Sequence, residues 1–229
     1  MKVIELINVS KCYDGSSVLS NIQLVITKGE MVAITGKSGK GKTTLLNVMG
    51  LITDRDGGDL NLFNYSNPSI NSKQAMLLRR NKIGYIFQNC GLVDEETVLW
   101  NLNLALEYKK MTAKAKREKI DDYLNQFGLA DLKNKKVYQL SGGEQQRIAV
   151  IRLMLQDSEL ILADEPTASL DNENEKYIME HLQELNQRGK TVVVVTHNTH
   201  ILHYFTRVIQ FEELQHGSIR ATPVKLREA

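Results

Sequence analysis

Four short apolar runs, unbroken rather than alternating, organise this chain, and each ends abruptly in glycine or a polar side chain. Met31-Val32-Ala33-Ile34-Thr35 runs into Gly36, and Ile83-Gly84-Tyr85-Ile86-Phe87 into Gln88. Leu160-Ile161-Leu162-Ala163 runs into Asp164 and Glu165, and Val192-Val193-Val194-Val195-Thr196 into His197. Such runs suit strands covered on both faces, as in a parallel sheet flanked by helices. Ligands of open α/β sheets sit beyond the carboxyl ends of the strands. The polar residues at these four ends are therefore the first candidates for chemistry, and one sheet edge is where they converge.

The remaining pattern changes character along the chain. Residues 3–26 alternate as antiparallel strands with a turn at Asp14-Gly15. After a loop at 65–69, the stretch 75–156 is rich in helix formers, as in Ala113-Lys114-Ala115-Lys116-Arg117-Glu118-Lys119-Ile120. Near the end, 207–211 and 218–221 are positioned to pair across His216-Gly217. The expected organisation is one α/β domain over 1–229. Its core covers 1–74 and 157–229, with an N-terminal antiparallel part and a mostly helical insertion at 75–156.

Composition narrows the class. A chain of 229 residues with 42% hydrophobic and 24% charged residues is ordinary for a globular protein. Its net charge of +2 argues against a nucleic-acid partner, which calls for a strongly basic face. Cys12 and Cys90 lack metal-site spacing and read as free thiols in a reducing compartment. The charged, alternating start Met1-Lys2-Val3-Ile4-Glu5-Leu6 is no secretory signal, and no run approaches the ~20 apolar residues of a membrane-spanning helix.

The segment Gly36-Lys37-Ser38-Gly39-Lys40-Gly41-Lys42-Thr43-Thr44 fits the phosphate-loop pattern G-x-x-x-x-G-K-[ST] directly after an apolar strand. Its glycines let successive N–H groups turn inward as an anion nest, and the helix that starts near Lys42 adds its positive end. Lys42 supplies a full charge to the β- and γ-phosphates and Thr43 a hydroxyl for Mg²⁺, while Lys37 and Lys40 project into solvent. Asp164 ends its strand as the second Mg²⁺ element of P-loop ATPases does. Side chains alternate across a strand, so Glu165 needs a turn to face the same site, and Pro166 helps by ending the ladder. Taken singly, Asp-Glu-Pro is a common strand exit and a histidine after a strand is usually structural; their order and spacing from Lys42 favour chemistry. Ser141-Gly142-Gly143-Glu144 is a capping box that starts a helix, and its exposed donors and dipole also suit a phosphate.

The motif Leu140-Ser141-Gly142-Gly143-Glu144-Gln145-Gln146-Arg147, with the phosphate loop, resembles the signature of ABC ATPases over residues 13–197. The resemblance implies a P-loop RecA-like core that binds ATP and Mg²⁺. Glu165 is then the general base, Asp164, Thr43 and Gln88 contact the metal, and His197 contacts the γ-phosphate. Ser169, Leu170 and Asp171 form the following D-loop. Tyr13 resembles the aromatic that stacks on adenine, with a partly buried strand tyrosine as the competing reading. The implied assembly is an ATP-dependent head-to-tail dimer in which Ser141, Gly142, Gly143 and Glu144 of one copy close over the phosphate loop of the other. A separate transmembrane permease is the further partner, which places the chain on the cytoplasmic face of the membrane. Its contact region follows Gln88, where Leu92, Val93 and Val98 either meet the partner or pack internally; Trp100 is expected to pack inside the helical subdomain. The cationic run from Lys109 to Lys119 is expected as a solvated helix face.

The chain looks like the lipoprotein-releasing, macrolide-export and bacteriocin-export group, so the expected cargo is a peptide, lipoprotein or antimicrobial compound. The alternatives are a mechanotransmission ATPase that moves no substrate and a soluble ABC machine. A P-loop kinase has no need of LSGGEQQR.

Overall fold

The computed structural model describes residues 1–168, 170–215 and 222–223. In chain order the elements are β1 (Lys2–Tyr13), β2 (Ser16–Thr27), β3 (Met31–Thr35), α1 (Lys42–Met49), β4 (Gly57–Leu62), β5 (Tyr65–Ser66), α2 (Lys73–Asn81) and β6 (Ile83–Ile86). They continue through α3 (Val98–Leu106), α4 (Ala113–Gln126), α5 (Gly142–Gln156), β7 (Leu160–Asp164), α6 (Asn172–Gln187), β8 (Thr191–Val195), β9 (Arg207–Gln210), α7 (Phe211–Gln215) and β10 (Thr222–Pro223).

The opening hairpin follows from its turn. Asp14 (φ 48) and Gly15 (φ 76) are both left-handed, the two-residue geometry whose twist matches the flanking strands, and Tyr13 pairs with Ser16. β4 joins the other side of β1, and with β5 completes an antiparallel sheet in the order β2-β1-β4-β5. A second sheet runs β10-β9-β3-β8-β7-β6. Five of these strands are parallel, and β10 adds antiparallel to β9 through Thr222↔Val208.

Every residue of β3, β7 and β8 is buried, and strand alternation sorts them between two cores. Val32, Ile34, Leu160, Leu162, Val193 and Val195 pack with α1 and the antiparallel sheet. Met31, Ala33, Ile161, Ala163, Val192 and Val194 pack with α3 to α6. Each fully buried aliphatic side chain of this kind is worth about 1.5–3 kcal/mol. The helices on the second face begin where hydroxyl or carboxylate caps occur: Thr97, Thr112, Ser141 and Asp171 each accept a backbone N–H from the first turn, at about 1 kcal/mol per cap.

The structure departs from the sequence reading in several places. β6 and all of α2 but its first two residues lie within 75–156, yet Ala75, Leu78 and Ile83 belong to the core beneath the antiparallel sheet, and β6 is the edge strand of the parallel sheet. The helical layer proper starts at α3. Strand β4 forms although Gly57-Gly58-Asp59 carries no local strand signal. Of the expected terminal pairing, 218–221 lies outside the described residues; Thr222 and Pro223 make the described pair with β9. Trp100 does not pack inside: it is 40% exposed, while its neighbour Asn101 is fully buried. Asn101 occupies the inward position because its amide is satisfied there. Its Oδ1 accepts from Val93 N at 2.8 Å, and its Nδ2 donates to the carbonyls of Val93 (3.1 Å) and Thr97 (3.0 Å). Val98 is buried, Leu92 is half-buried and Val93 is exposed.

Candidate functional site

Because β3, β8, β7 and β6 are adjacent in that order, their carboxyl ends stand side by side, about 4.8 Å apart per strand. The register keeps them level, with Ile34 opposite Val195, Asp164 opposite Val195, and Ile86 opposite Ala163. A cleft of about 360 Å³ opens at this edge. Ser38, Gly39, Gly41, Lys42, Thr43, Thr44, Gln88, Glu165 and His197 line it, together with Val18 and Val195. The residues expected at all four strand ends are thus brought together, with Asp164 seated beneath Thr43.

The phosphate loop leaves β3 and turns into α1 at Gly41, whose φ of 107 and ψ of 8 suit glycine alone. A Cβ there would come within 2.7 Å of Val18 Cγ1 and 2.9 Å of Val18 O, so β2 fixes the loop from behind. α1 has no side-chain cap and no acidic residue in its first turn, so its N-terminal donors and dipole stay available to an anion. Lys42 is buried, and its Nζ donates to the carbonyls of Gly36 (2.8 Å) and Lys37 (2.9 Å). Lys37 and Lys40 are exposed, as expected. Glu212 on α7, which the sequence reading missed, accepts from Lys37 N at 3.3 Å; no local pattern links residues that far apart.

Asp164 lies on the α1 side of β7, where Thr43 Oγ1 donates to its Oδ1 at 3.2 Å. Burial, with repulsion from Glu165, pushes its carboxyl above the usual range despite the Thr43 hydrogen bond and the attraction of Lys42. A buried carboxylate beside a hydroxyl, at the uncapped start of α1, is a fitting pair of hard oxygen donors for Mg²⁺, which takes few protein ligands and completes its shell with phosphate and water.

Glu165 takes φ 48, a left-handed conformation that is uncommon for a non-glycine residue. This reverses the alternation and turns the carboxylate back to the Asp164 side, while its N–H still donates to Val195 O at 2.9 Å. Its Oε1 lies 2.7 Å from His197 Nδ1, so the carboxylate holds the imidazole at the cleft.

The signature helix lies elsewhere. The capping box at α5 is closed, with Ser141 N donating to Glu144 Oε2 at 2.7 Å and Glu144 N to Ser141 Oγ at 3.3 Å. The donations to Oε2 from Ser141 N and from Ser141 Oγ (2.8 Å) hold the Glu144 carboxyl below its usual range. Gly142 at the helix start lines a second cleft of about 400 Å³, shared with Gln88, Gln145, Ala168 and Leu170. Asp171 caps α6 by accepting from Asn174 N at 2.8 Å, and Ser169 lies outside the described residues. Tyr13, at the end of β1, is 44% exposed, with Lys11 Nζ 5.3 Å from its ring centroid. It does not line the phosphate cleft.

The family model described as "ABC transporter" matches residues 19–168. The chain is 36% identical to the macrolide export ATP-binding/permease protein MacB of Escherichia coli over 91% of its own length and 33% of the relative's. It is 36% identical to MacB of Bartonella henselae over 86% of its length and 30% of the relative's. It therefore spans about a third of the curated relatives it matches. Among solved structures, it superposes with a TM-score of 0.87 and 33% identity on the ATP-binding cassette MJ0796, a dimer in a post-hydrolysis state bound to ADP and Pi. That match covers 99% of this chain and 100% of the other. The chain belongs to the ABC transporter family and is an ABC-type ATPase.

Proposed function

We propose that this chain is the ATP-hydrolysing subunit of a membrane export system, acting as a head-to-tail pair beneath a separate permease. The observation that carries this reading is the separation of the two motifs. The phosphate loop lines one cleft with Glu165, His197 and Gln88, whereas the start of α5 lines another. A γ-phosphate on the loop is then open on one side, and the α5 N-terminus of a second copy fits that side. The capping box satisfies the backbone donors of Ser141 and Glu144, leaving those of Gly142 and Gly143 for phosphate oxygens. The dimeric state of MJ0796 supports the pairing.

In this reading Lys42 exchanges its two loop carbonyls for the β- and γ-phosphates. Thr43 and Asp164 hold Mg²⁺, with Gln88 contacting the metal or its water. Once bound, the ion neutralises phosphate charge and orients the γ-phosphate for in-line attack. Glu165 takes the proton from the attacking water, and His197, held by that carboxylate, contacts the γ-phosphate. Tyr13 stacks on the adenine, and Ser169, Leu170 and Asp171 contact the partner copy.

No helix among the described residues is long and apolar enough to cross a membrane. An exposed groove of about 460 Å³ between α2, α3 and α5 supports a protein partner, with Met76, Leu104 and Tyr108 offering apolar surface beside Arg79, Arg80 and Lys109. The similarity to the macrolide export protein MacB supports a role in export; the proposed cargo is a peptide, lipoprotein or antimicrobial compound, moved from the cytoplasmic face. Mass spectrometry of what copurifies with tagged Glu165→Gln from native membranes in ATP tests the reading. A multi-spanning membrane protein is the expected partner; recovery of ribosomes, DNA or soluble proteins alone would refute the membrane role.

A further inference from the structure

The loop that carries Gln88 is tied to α5 by one side chain. Arg152 lies about three turns after Ser141 on the same helix. Its Nη1 donates to Gly91 O at 2.6 Å and its Nη2 to Cys90 O at 2.9 Å. Those carbonyls belong to a tight turn in which Cys90 N donates to Phe87 O (2.8 Å) and Gly91 N to Asn89 O (2.7 Å).

Cys90 and Gly91 are both left-handed, at φ 62 and φ 60. A non-glycine residue such as Cys90 stays there only where its surroundings hold it, and the two-pronged guanidinium supplies the hold. A Cβ at Gly91 would come within 2.4 Å of Phe87 Cδ2, so the turn has little slack. Gln88 sits inside this turn and lines both the phosphate cleft and the cleft at the start of α5.

The helix that anchors Arg152 is itself fixed to β6. Gln156 Nε2 donates to the carbonyls of Arg79 (3.2 Å) and Ile83 (3.0 Å). Leu153 fills the space above Gly84, where a Cβ would lie 2.3 Å from Leu153 Cδ1. Among the described residues both hydrogen-bond partners of Arg152 are backbone carbonyls. The side chain therefore serves geometry rather than an ion pair, which is a use of the planar fork that lysine cannot reproduce. Arg152 also lines the groove with Met76, Arg80, Leu104 and Tyr108, so a segment seated there touches the same side chain.

We infer that Arg152 is a positioning residue for ATP hydrolysis, setting Gln88 through the carbonyls of Cys90 and Gly91. The inference rests on the role proposed above for Gln88. A double-mutant cycle tests it, with kcat and KM for ATP read by phosphate release from wild type, Gln88→Ala, Arg152→Met and the double variant. Arg152→Met is expected to lower kcat about tenfold or more, because misplacing a reacting group by about 1 Å costs up to ~100-fold. KM should stay within about twofold. In the Gln88→Ala background, Arg152→Met should change kcat by less than about twofold, since both act through one group. Arg152→Lys, which reaches one carbonyl, should recover part of the loss, and it replaces Arg152→Met in the cycle if the latter does not fold.

Multiplying effects in the double variant, or a change in KM and thermal stability with kcat intact, would overturn the inference while leaving the glutamine's role standing. An unchanged kcat in Gln88→Ala would refute that role and this inference with it.

Discussion

Glu165→Gln is the substitution that tests the assigned base with least disturbance. Glutamine keeps the length of the side chain and an oxygen able to accept from His197 Nδ1, now 2.7 Å from the carboxylate. The left-handed backbone is held from outside, by the hydrogen bond from Glu165 N to Val195 O, so the turn survives. What is lost is the basicity. A positioned general base contributes about 10²- to 10⁴-fold, or ~2.7–5.4 kcal/mol of barrier at 1.36 kcal/mol per decade. Nucleotide binding should not suffer. Lys42, Thr43 and the loop are untouched, and removing the Glu165 charge relieves one of the interactions that push the Asp164 carboxyl up. The expected result is a fall of at least about 100-fold in single-turnover phosphate release, with ATP affinity equal or tighter by calorimetry and a longer-lived dimer by light scattering. Turnover within about threefold of wild type would show that Glu165 is not the base, since no general base of this kind is worth so little.

Lys42→Ala removes a charge-assisted contact worth about 1.5–3 kcal/mol, so titration calorimetry should record ATP affinity weakened at least tenfold or so; unchanged affinity would refute the phosphate role. Ser141→Arg should abolish ATP-driven dimerisation in sedimentation experiments while leaving a folded monomer, less stable by roughly 1 kcal/mol for the lost cap; a normal dimer would count against the shared site. Cys12 is exposed and Cys90 buried, and burial pushes the Cys90 thiol from 9.0 up to about 11. Iodoacetamide at pH 8 should therefore label Cys12 and spare Cys90 until the chain unfolds. The same shift has a sign for stability: the unfolded thiol ionises near 9 while the folded one stays protonated to about 11. Its contribution is complete below the unfolded value and is lost as pH rises through that window, a loss that Cys90→Ala should remove from the pH profile of melting.

Much of the site was legible because its signals are local. The capping box at Ser141 and Glu144, the two-residue turn at Asp14-Gly15 and the polar ends of the apolar runs depend on residues a few positions apart. The helical run 113–120 formed α4 for the same reason: helix formers behind a Thr112 cap with one buried stripe, Ile120 and Leu124. The need for a turn at Glu165 also followed from strand alternation, although its left-handed form appears only in three dimensions. Where the reading failed, the deciding partner was distant or the local signal misleading. β4 begins with two glycines and exists because β1 pairs with it. Trp100 has every local reason to be buried, and lost the inward position to Asn101, whose amide is satisfied by Val93 and Thr97.

By itself the sequence determined which strands are buried on both faces, which polar residues stand at their carboxyl ends, and that one motif starts a helix. Hydrophobic period, glycine placement and caps are interactions within a few residues, so they are written where they act. Tertiary structure decided that β3, β8, β7 and β6 are neighbours, which is what brings Lys42, Gln88, Glu165 and His197 into one cleft. It decided that the start of the signature helix lines a different cleft, joined to the first through Gln88, and that Arg152, which belongs to no phosphate motif, holds the glutamine loop. These outcomes depend on which distant backbones pair and which carbonyls are left to be satisfied, and only the closed fold settles both.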